Sequence, residues 1–126
     1  MIFVMGKESY EIGQRGEDLA AEYLANHGYH ILSRNFRSQQ GEIDLIASDR
    51  DFMVFVEVKN YSFRSFGLPS AAIRREKRQS IIHAARTYLY RNRIKNKNCR
   101  FDVVAIYRRL DGSRVIELFQ NAFFLT

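Results

Sequence analysis

Apolar positions in the first quarter of the chain recur at helical spacing. Ile12, Leu19, Ala20, Tyr23 and Leu24 share one face of a segment running from about 12 to 27, which predicts an amphipathic helix. Gly28 follows as its terminator, because a residue without a side chain accepts the left-handed turn that ends a helix. The period then changes. Tyr29 to Arg37 and Glu42 to Ser48 alternate as strands around the turn-like Ser38-Gln39-Gln40-Gly41, and Asp49-Arg50-Asp51 connects to Phe52–Asn60, the clearest strand in the chain. A loop over 61–69 containing Gly67 and Pro69 leads to a second helical pattern from about Ala71 to Arg93, with Ser70 placed to cap it. Arg100 to Tyr107 and Arg114 to Phe119 flank Asp111-Gly112, a strong hairpin signal. The predicted order is α-β-β-β-α-β-β, an α/β sandwich around a central mixed sheet whose middle strands are buried on both faces. One domain spanning 1–126 suits the length.

Polar residues that interrupt this pattern carry the chemistry. In the strand Phe52–Asn60, side chains at alternate positions face opposite ways, so Phe52, Val54, Val56 and Val58 share one face and Met53, Phe55, Glu57 and Lys59 the other. A carboxylate and an ammonium on one face of so apolar a strand are costly to desolvate without a purpose. In the preceding strand, alternation sets Ile43, Leu45 and Ala47 on one face and Glu42, Asp44 and Ile46 on the other. The short connection predicts antiparallel pairing that brings Asp44 near Glu57. Two such carboxylates repel unless a proton or a cation intervenes, and Mg²⁺ or Mn²⁺ favours oxygen ligands of this kind. The blander alternative is a Glu57–Lys59 ion pair at a strand end with Asp44 exposed.

Charge is distributed unevenly. Net charge is +6, yet residues 1–63 hold six Lys/Arg against ten Asp/Glu, whereas residues 64–109 hold thirteen Lys/Arg against Glu76 and Asp102 alone. A basic half beside an acidic half suggests a polyanion on one and a cation on the other. On the second helix Lys77 falls within the apolar stripe of Ile73, Ile81, Ala84 and Tyr88, so its ammonium must snorkel out or meet an anion. Arg74, Arg75 and Arg78 lie off that stripe and can contact phosphate, which positions a nucleic acid without reading its sequence. Asp102, between Phe101 and Val103, is expected to be a structural hydrogen-bonding residue. The histidines show no metal-ligand spacing. Cys99, the only cysteine, excludes an internal disulfide and fits a reducing, cytoplasmic setting. The apolar Met1–Met5 run is too short for a signal-peptide core, and no segment has the length of a membrane span.

The segments Gly41-Glu42-Ile43-Asp44-Leu45-Ile46 and Phe55-Val56-Glu57-Val58-Lys59 together resemble the paired motif of the PD-(D/E)xK nuclease superfamily. More narrowly, the chain resembles the YraN family of bacterial proteins, related to archaeal Holliday-junction resolvases. The likeness extends to Gly13-Gln14-Arg15-Gly16-Glu17, Phe101-Asp102-Val103-Val104 and Asn121-Ala122-Phe123. It implies a restriction-endonuclease-like fold and a metal-dependent endonuclease that hydrolyses DNA phosphodiesters, with branched junctions as one substrate class. By position, Asp44 and Glu57 would be metal ligands with the Val58 carbonyl a third, and Lys59 the catalytic lysine. Glu17 matches a glutamate that resolvase-like members carry on their first helix. Ile43 stands where the superfamily name has proline, and Tyr61 where relatives often have arginine; Arg64 is the nearest replacement for that phosphate contact. A homodimer follows only if junctions are cut symmetrically. Two rival readings remain at this level: a nuclease-fold DNA-binding module without turnover, and a protein-interaction domain whose basic helix meets an acidic partner.

Overall fold

The computed structural model describes residues 15–62 and 71–123. Within them a first helix, α1, is described over 15–26. It is followed by β1 (His30–Ser38), β2 (Gly41–Asp49), β3 (Phe52–Tyr61), α2 (Arg75–Arg91), β4 (Asn98–Arg108) and β5 (Arg114–Phe123). The element order is the one the hydrophobic pattern predicts. The five strands form one sheet in sequential order; β3 and β4 run parallel and every other neighbouring pair runs antiparallel. That topology follows from the connections. Two-residue turns join β1 to β2 and β2 to β3, whereas a parallel pair needs a long crossover, which α2 supplies.

Each helix covers one face of the sheet. Ala20 and Leu24 of α1 pack with Leu45, Ala47, Val54, Val56, Val104 and Ile106. Ile81, Ile82, Ala84 and Ala85 of α2 pack with Met53, Phe55, Phe101 and Phe123 on the opposite face. The alternation predicted for β3 therefore holds. In β2 it does not hold throughout: Ile43 joins Ile46 on the α2 side, while Leu45 and Ala47 lie on the α1 side. The break falls at Asp44. The register pairs Arg34 with Leu45 and Phe36 with Ile43, so Asn35 stands across from Asp44, and its φ of 53° twists β1 at that point. Asparagine is among the few residues that accept this left-handed conformation readily.

Both helices end by the same geometry. The amides of Gly28 and Tyr29 return to the carbonyls of Ala25 and Leu24, and those of Arg93 and Ile94 to Tyr90 and Leu89. These are the paired bonds of a Schellman cap, with Gly28 at φ 89° and Arg93 at φ 53° in the left-handed position. The start of α2 differs from expectation. The helix begins at Arg75, not near Ala71, and Arg74 is extended with no side-chain cap bond. The reason is local: the carbonyls of Ala72 and Ile73 accept hydrogen bonds from the Lys59 and Arg78 side chains, which holds 71–74 as an extended segment. Ser70, the expected cap, lies outside the described residues, as do Arg64 and most of the 61–69 loop.

Asp102 is fully buried and acts as a hub. It accepts hydrogen bonds from Tyr29 Oη at 2.9 Å, from Arg100 Nε at 2.9 Å and from the Asn121 amide at 3.0 Å. Arg100 also pairs with Asp49 at 2.9 Å. Asp102 thereby holds the irregularity in β5, where pairing shifts between Val103–Phe119 and Phe101–Phe123 around Asn121 at φ 56°. Its charge is matched by a guanidinium, which is what a buried carboxylate requires.

At Gly41 the β1–β2 turn meets α2 without clearance. A Cβ there would lie 2.5 Å from the Ser80 carbonyl oxygen, a backbone atom that cannot swing aside, and Ser80 Oγ donates to the Gln40 carbonyl at 2.7 Å. Gly41→Ala is expected to destabilise the fold by roughly 1–3 kcal/mol through this overlap. Chemical denaturation checks it; an unchanged midpoint would show that turn and helix can separate at no cost.

Candidate active site

Where β2 and β3 part, a side chain takes over the hydrogen bonding. Their pairing runs from Asp49–Phe52 to Leu45–Val56. One residue beyond it, Asp44 Oδ2 accepts the Val58 amide at 2.7 Å. A buried strand amide thus keeps a partner while the strands diverge, and the divergence leaves room beside Glu57. The Asp44 and Glu57 carboxyl groups are within hydrogen-bonding reach of one another. Glu57 is only 12% exposed, and its Oε2 makes no hydrogen bond among the described residues although Lys77 Nζ stands 3.5 Å away. Burial pushes the Glu57 carboxyl up to about 8, the bond to Asp44 and the Asp44 charge add to this, and Lys77 opposes it.

Glu17 approaches the same place from α1. It is half-buried, and its Oε2 is the other buried side-chain oxygen without a hydrogen bond among the described residues. Burial raises its pKa, the Asn35 hydrogen bond lowers it, and the charge of Asp44 raises it further. Both orphaned oxygens therefore belong to carboxylates that interact with Asp44.

Lys59 faces the α2 side, as alternation requires. Its Nζ donates to the Ala72 carbonyl and lies 5.1 Å from the centre of the Tyr61 ring. An open cleft of about 370 Å³ is lined by Glu57, Lys59, Ala72, Ile73, Arg74 and Lys77. Lys77 both snorkels and meets an anion: its side chain is 46% exposed and pairs with Glu57. Arg74, at the cleft, and Arg75 are exposed, whereas Arg78 is half-buried and donates to the Ile73 carbonyl at 2.7 Å. Arg78 thus uses one guanidinium N–H to hold the segment before α2 and keeps others for a further acceptor.

The donor set fits a hard divalent cation. Two adjacent carboxylates, one with a buried oxygen that makes no hydrogen bond among the described residues, are the ligands such an ion takes, and Mg²⁺ commonly binds through one or two carboxylates with water and phosphate completing its shell. Among the described residues, no three His, Cys, Asp or Glu side chains are gathered tightly enough to hold an ion by themselves. A site here would draw on a backbone carbonyl, and the Val58 carbonyl is adjacent. The sequence pattern gives no place to Asn35 or to the Ala72 and Ile73 carbonyls before α2. The signal for Asn35 was an asparagine inside an otherwise regular strand; the carbonyls left none.

The family profile described as "Uncharacterised protein family UPF0102" matches residues 16–106. A UPF0102 protein of Syntrophus aciditrophicus is 44% identical over 123 residues, covering 98% of this chain and 95% of that protein. One of Trichlorobacter lovleyi is 40% identical over 121 residues, covering 95% of each. One of Symbiobacterium thermophilum is 44% identical over 115 residues, covering 91% of this chain and 98% of the relative. No helix among the described residues is long and apolar enough to cross a membrane.

The raised Glu57 pKa has a consequence for stability without divalent ions. Between about 4.5 and about 8 the folded protein keeps a proton on Glu57 that the unfolded chain releases, so stability falls as pH rises through that window and levels off above it. Glu57→Gln should flatten the decline and be more stable than wild type at pH 9, by an amount on the order of a few kcal/mol. Thermal melts in chelator from pH 5 to 9 test this; parallel curves for the two proteins would mean that the carboxyl is not strained.

Proposed function

We propose that this chain, which belongs to the uncharacterised protein family UPF0102, is a metal-dependent endonuclease that hydrolyses DNA phosphodiesters, with branched DNA among its substrates. The observation that carries the reading is the Asp44–Glu57 pair, with Glu57 desolvated and one of its oxygens without a hydrogen bond among the described residues, beside Lys59 in an open cleft. The Lys77 ammonium 3.5 Å away leaves that oxygen without a hydrogen bond among the described residues, and a buried acceptor without one costs stability.

In this reading Asp44, Glu57 and the Val58 carbonyl hold Mg²⁺ or Mn²⁺. When bound, the ion polarises the scissile phosphate and neutralises part of its charge. Lys59 keeps its ammonium in the cleft through the Ala72 carbonyl, and two of its three N–H groups remain to orient the attacking water and stabilise charge on the phosphate oxygens. Arg74 and Lys77, which line the cleft, would position the backbone, with Arg75, Arg78 and Arg64 as further phosphate contacts in this reading. Glu17 holds its carboxylate toward Asp44 from the α1 side, where it can order water or take up a proton. Helix α2 carries the basic face that recruits a polyanion, at a cytoplasmic location. The requirement for two cuts in a junction makes a homodimer part of the proposal for that substrate alone.

One observation favours a second reading, a DNA-binding module without turnover. Lys77 partly neutralises Glu57, so the carboxylate pair has a cation of its own. Cleavage assays on linear, branched and single-stranded DNA with Mg²⁺ or Mn²⁺ separate the two. Asp44→Asn and Glu57→Gln are expected to abolish metal binding by calorimetry and cutting with it. Lys59→Ala should keep both metal and DNA affinity while cleavage drops by roughly two to three orders of magnitude, as when one electrostatic stabiliser leaves a preorganised site. Salt-sensitive binding by a wild type that never cuts would leave the binding module as the function.

A further inference from the structure

The opposite face of the sheet carries a second cationic feature. Arg108 on β4 and Arg114 on β5 are direct cross-strand partners. Side chains so placed have Cβ atoms about 5 Å apart, and like charges directly opposite destabilise a strand pair. Neither guanidinium makes a hydrogen bond or an ion pair among the described residues; the buried Arg100, earlier in the same strand, has both.

The two arginines border a partly open pocket of about 150 Å³, together with Gly16, Asn60, Tyr61, Ser62 and Ile106. A space of that order accepts a benzene-sized molecule and is more than a phosphate group needs. Its floor is the apolar Ile106, and Asn60 brings a side-chain amide to its wall. The Asn60 side chain lies against Gly16 of α1, where an added Cβ would overlap it. Asn60 also follows Lys59 directly in β3 and so projects to the other face of the sheet. The pocket and the cleft thus flank the carboxyl-terminal ends of the two parallel strands, where crevices in open α/β sheets accept ligands.

We propose that Arg108, Arg114 and Asn60 form a phosphate-binding pocket. The two guanidinium forks chelate the oxygens of one phosphate from adjacent strands, and the Asn60 amide donates a further hydrogen bond. The anion would relieve the cross-strand repulsion. Its source is either a nucleic-acid backbone or a small phosphorylated compound. The first case rests on the DNA-binding reading above and makes the pocket a second contact, reaching a phosphate on the far side of the sheet from Lys59. The second case stands without it.

Amide spectra of the wild type titrated with inorganic phosphate, and then with a short DNA duplex at several salt concentrations, test both cases. Phosphate should shift Asn60, Ile106, Arg108 and Arg114, and should do so no longer in Arg108→Gln/Arg114→Gln. For a backbone phosphate, that double variant should bind duplex roughly tenfold more weakly, with a log–log salt slope smaller by about one. Arg108→Lys/Arg114→Lys, which keeps charge but loses the fork, serves as the fold control and should fall between. Phosphate shifts with unchanged DNA binding support the small-molecule source. No phosphate shifts and an unaltered salt slope overturn the pocket. A wild type that binds no DNA defeats the endonuclease reading, while its phosphate response still decides the pocket.

Discussion

The site depends on how β2 and β3 come apart. Two adjacent antiparallel strands in the middle of a sheet would ordinarily keep pairing, because every buried amide needs an acceptor. Asp44 releases them by accepting the Val58 amide through its side chain. The same bond turns the Asp44 carboxyl toward Glu57, so the device that opens the sheet also creates the electrostatic problem at its opening. Asn35, in a left-handed conformation on the opposite strand, supplies the twist that lets Ile43 cross to the α2 side while Leu45 stays on the α1 side.

Around that point the protein sets hydrophobic support on both faces and leaves polar groups at the strand ends. Leu45, Val54 and Val56 are completely buried, Phe55 and Ile43 nearly so, and together they fix the backbone carrying Asp44, Glu57 and Lys59. Rigid strands position such groups more closely than loops do. The segment before α2 contributes differently. By accepting Lys59 and Arg78 at its carbonyls, it trades a turn of helix for a cleft wall. A second polar cluster, Tyr29, Asp49, Arg100 and Asp102, is closed on itself: each charge has an opposite partner and hydrogen bonds. Glu57 Oε2 and Glu17 Oε2, by contrast, make no hydrogen bond among the described residues, which is unusual for buried polar atoms.

Much of the fold was legible in the residues because its elements obey simple periods. Strand β3 alternates without exception from Phe52 to Val58, α1 ends at a glycine, and Asp111-Gly112 marks the last turn, where Gly112 has φ 87°. Failures of the period reading fall at two places, and both border the site. Alternation through β2 misplaced Ile43 relative to Leu45, because periodicity cannot register a twist set by a neighbouring strand. The helical pattern of α2 ran back to Ala71, because Ala72 and Ile73 have helical spacing; the side chains that claim their carbonyls come from Lys59, distant in sequence, and from Arg78 within the helix.

The chain by itself determined which residues could do chemistry. An Asp44, a Glu57 and a Lys59 at those spacings on adjacent strands, with a basic helix after them, follow from alternation and charge alone, since side-chain direction in a strand is set by covalent geometry. It also determined the family, through the segments around Asp44 and Glu57. The tertiary structure decided which of these groups are under strain and which are satisfied. That Glu57 is desolvated, that Arg78 donates to a carbonyl while Arg74 is exposed, and that Arg108 faces Arg114 beside Asn60 depend on register and burial. Such facts arise between residues far apart in the chain, and the energy of a charge depends on its surroundings as much as on its identity.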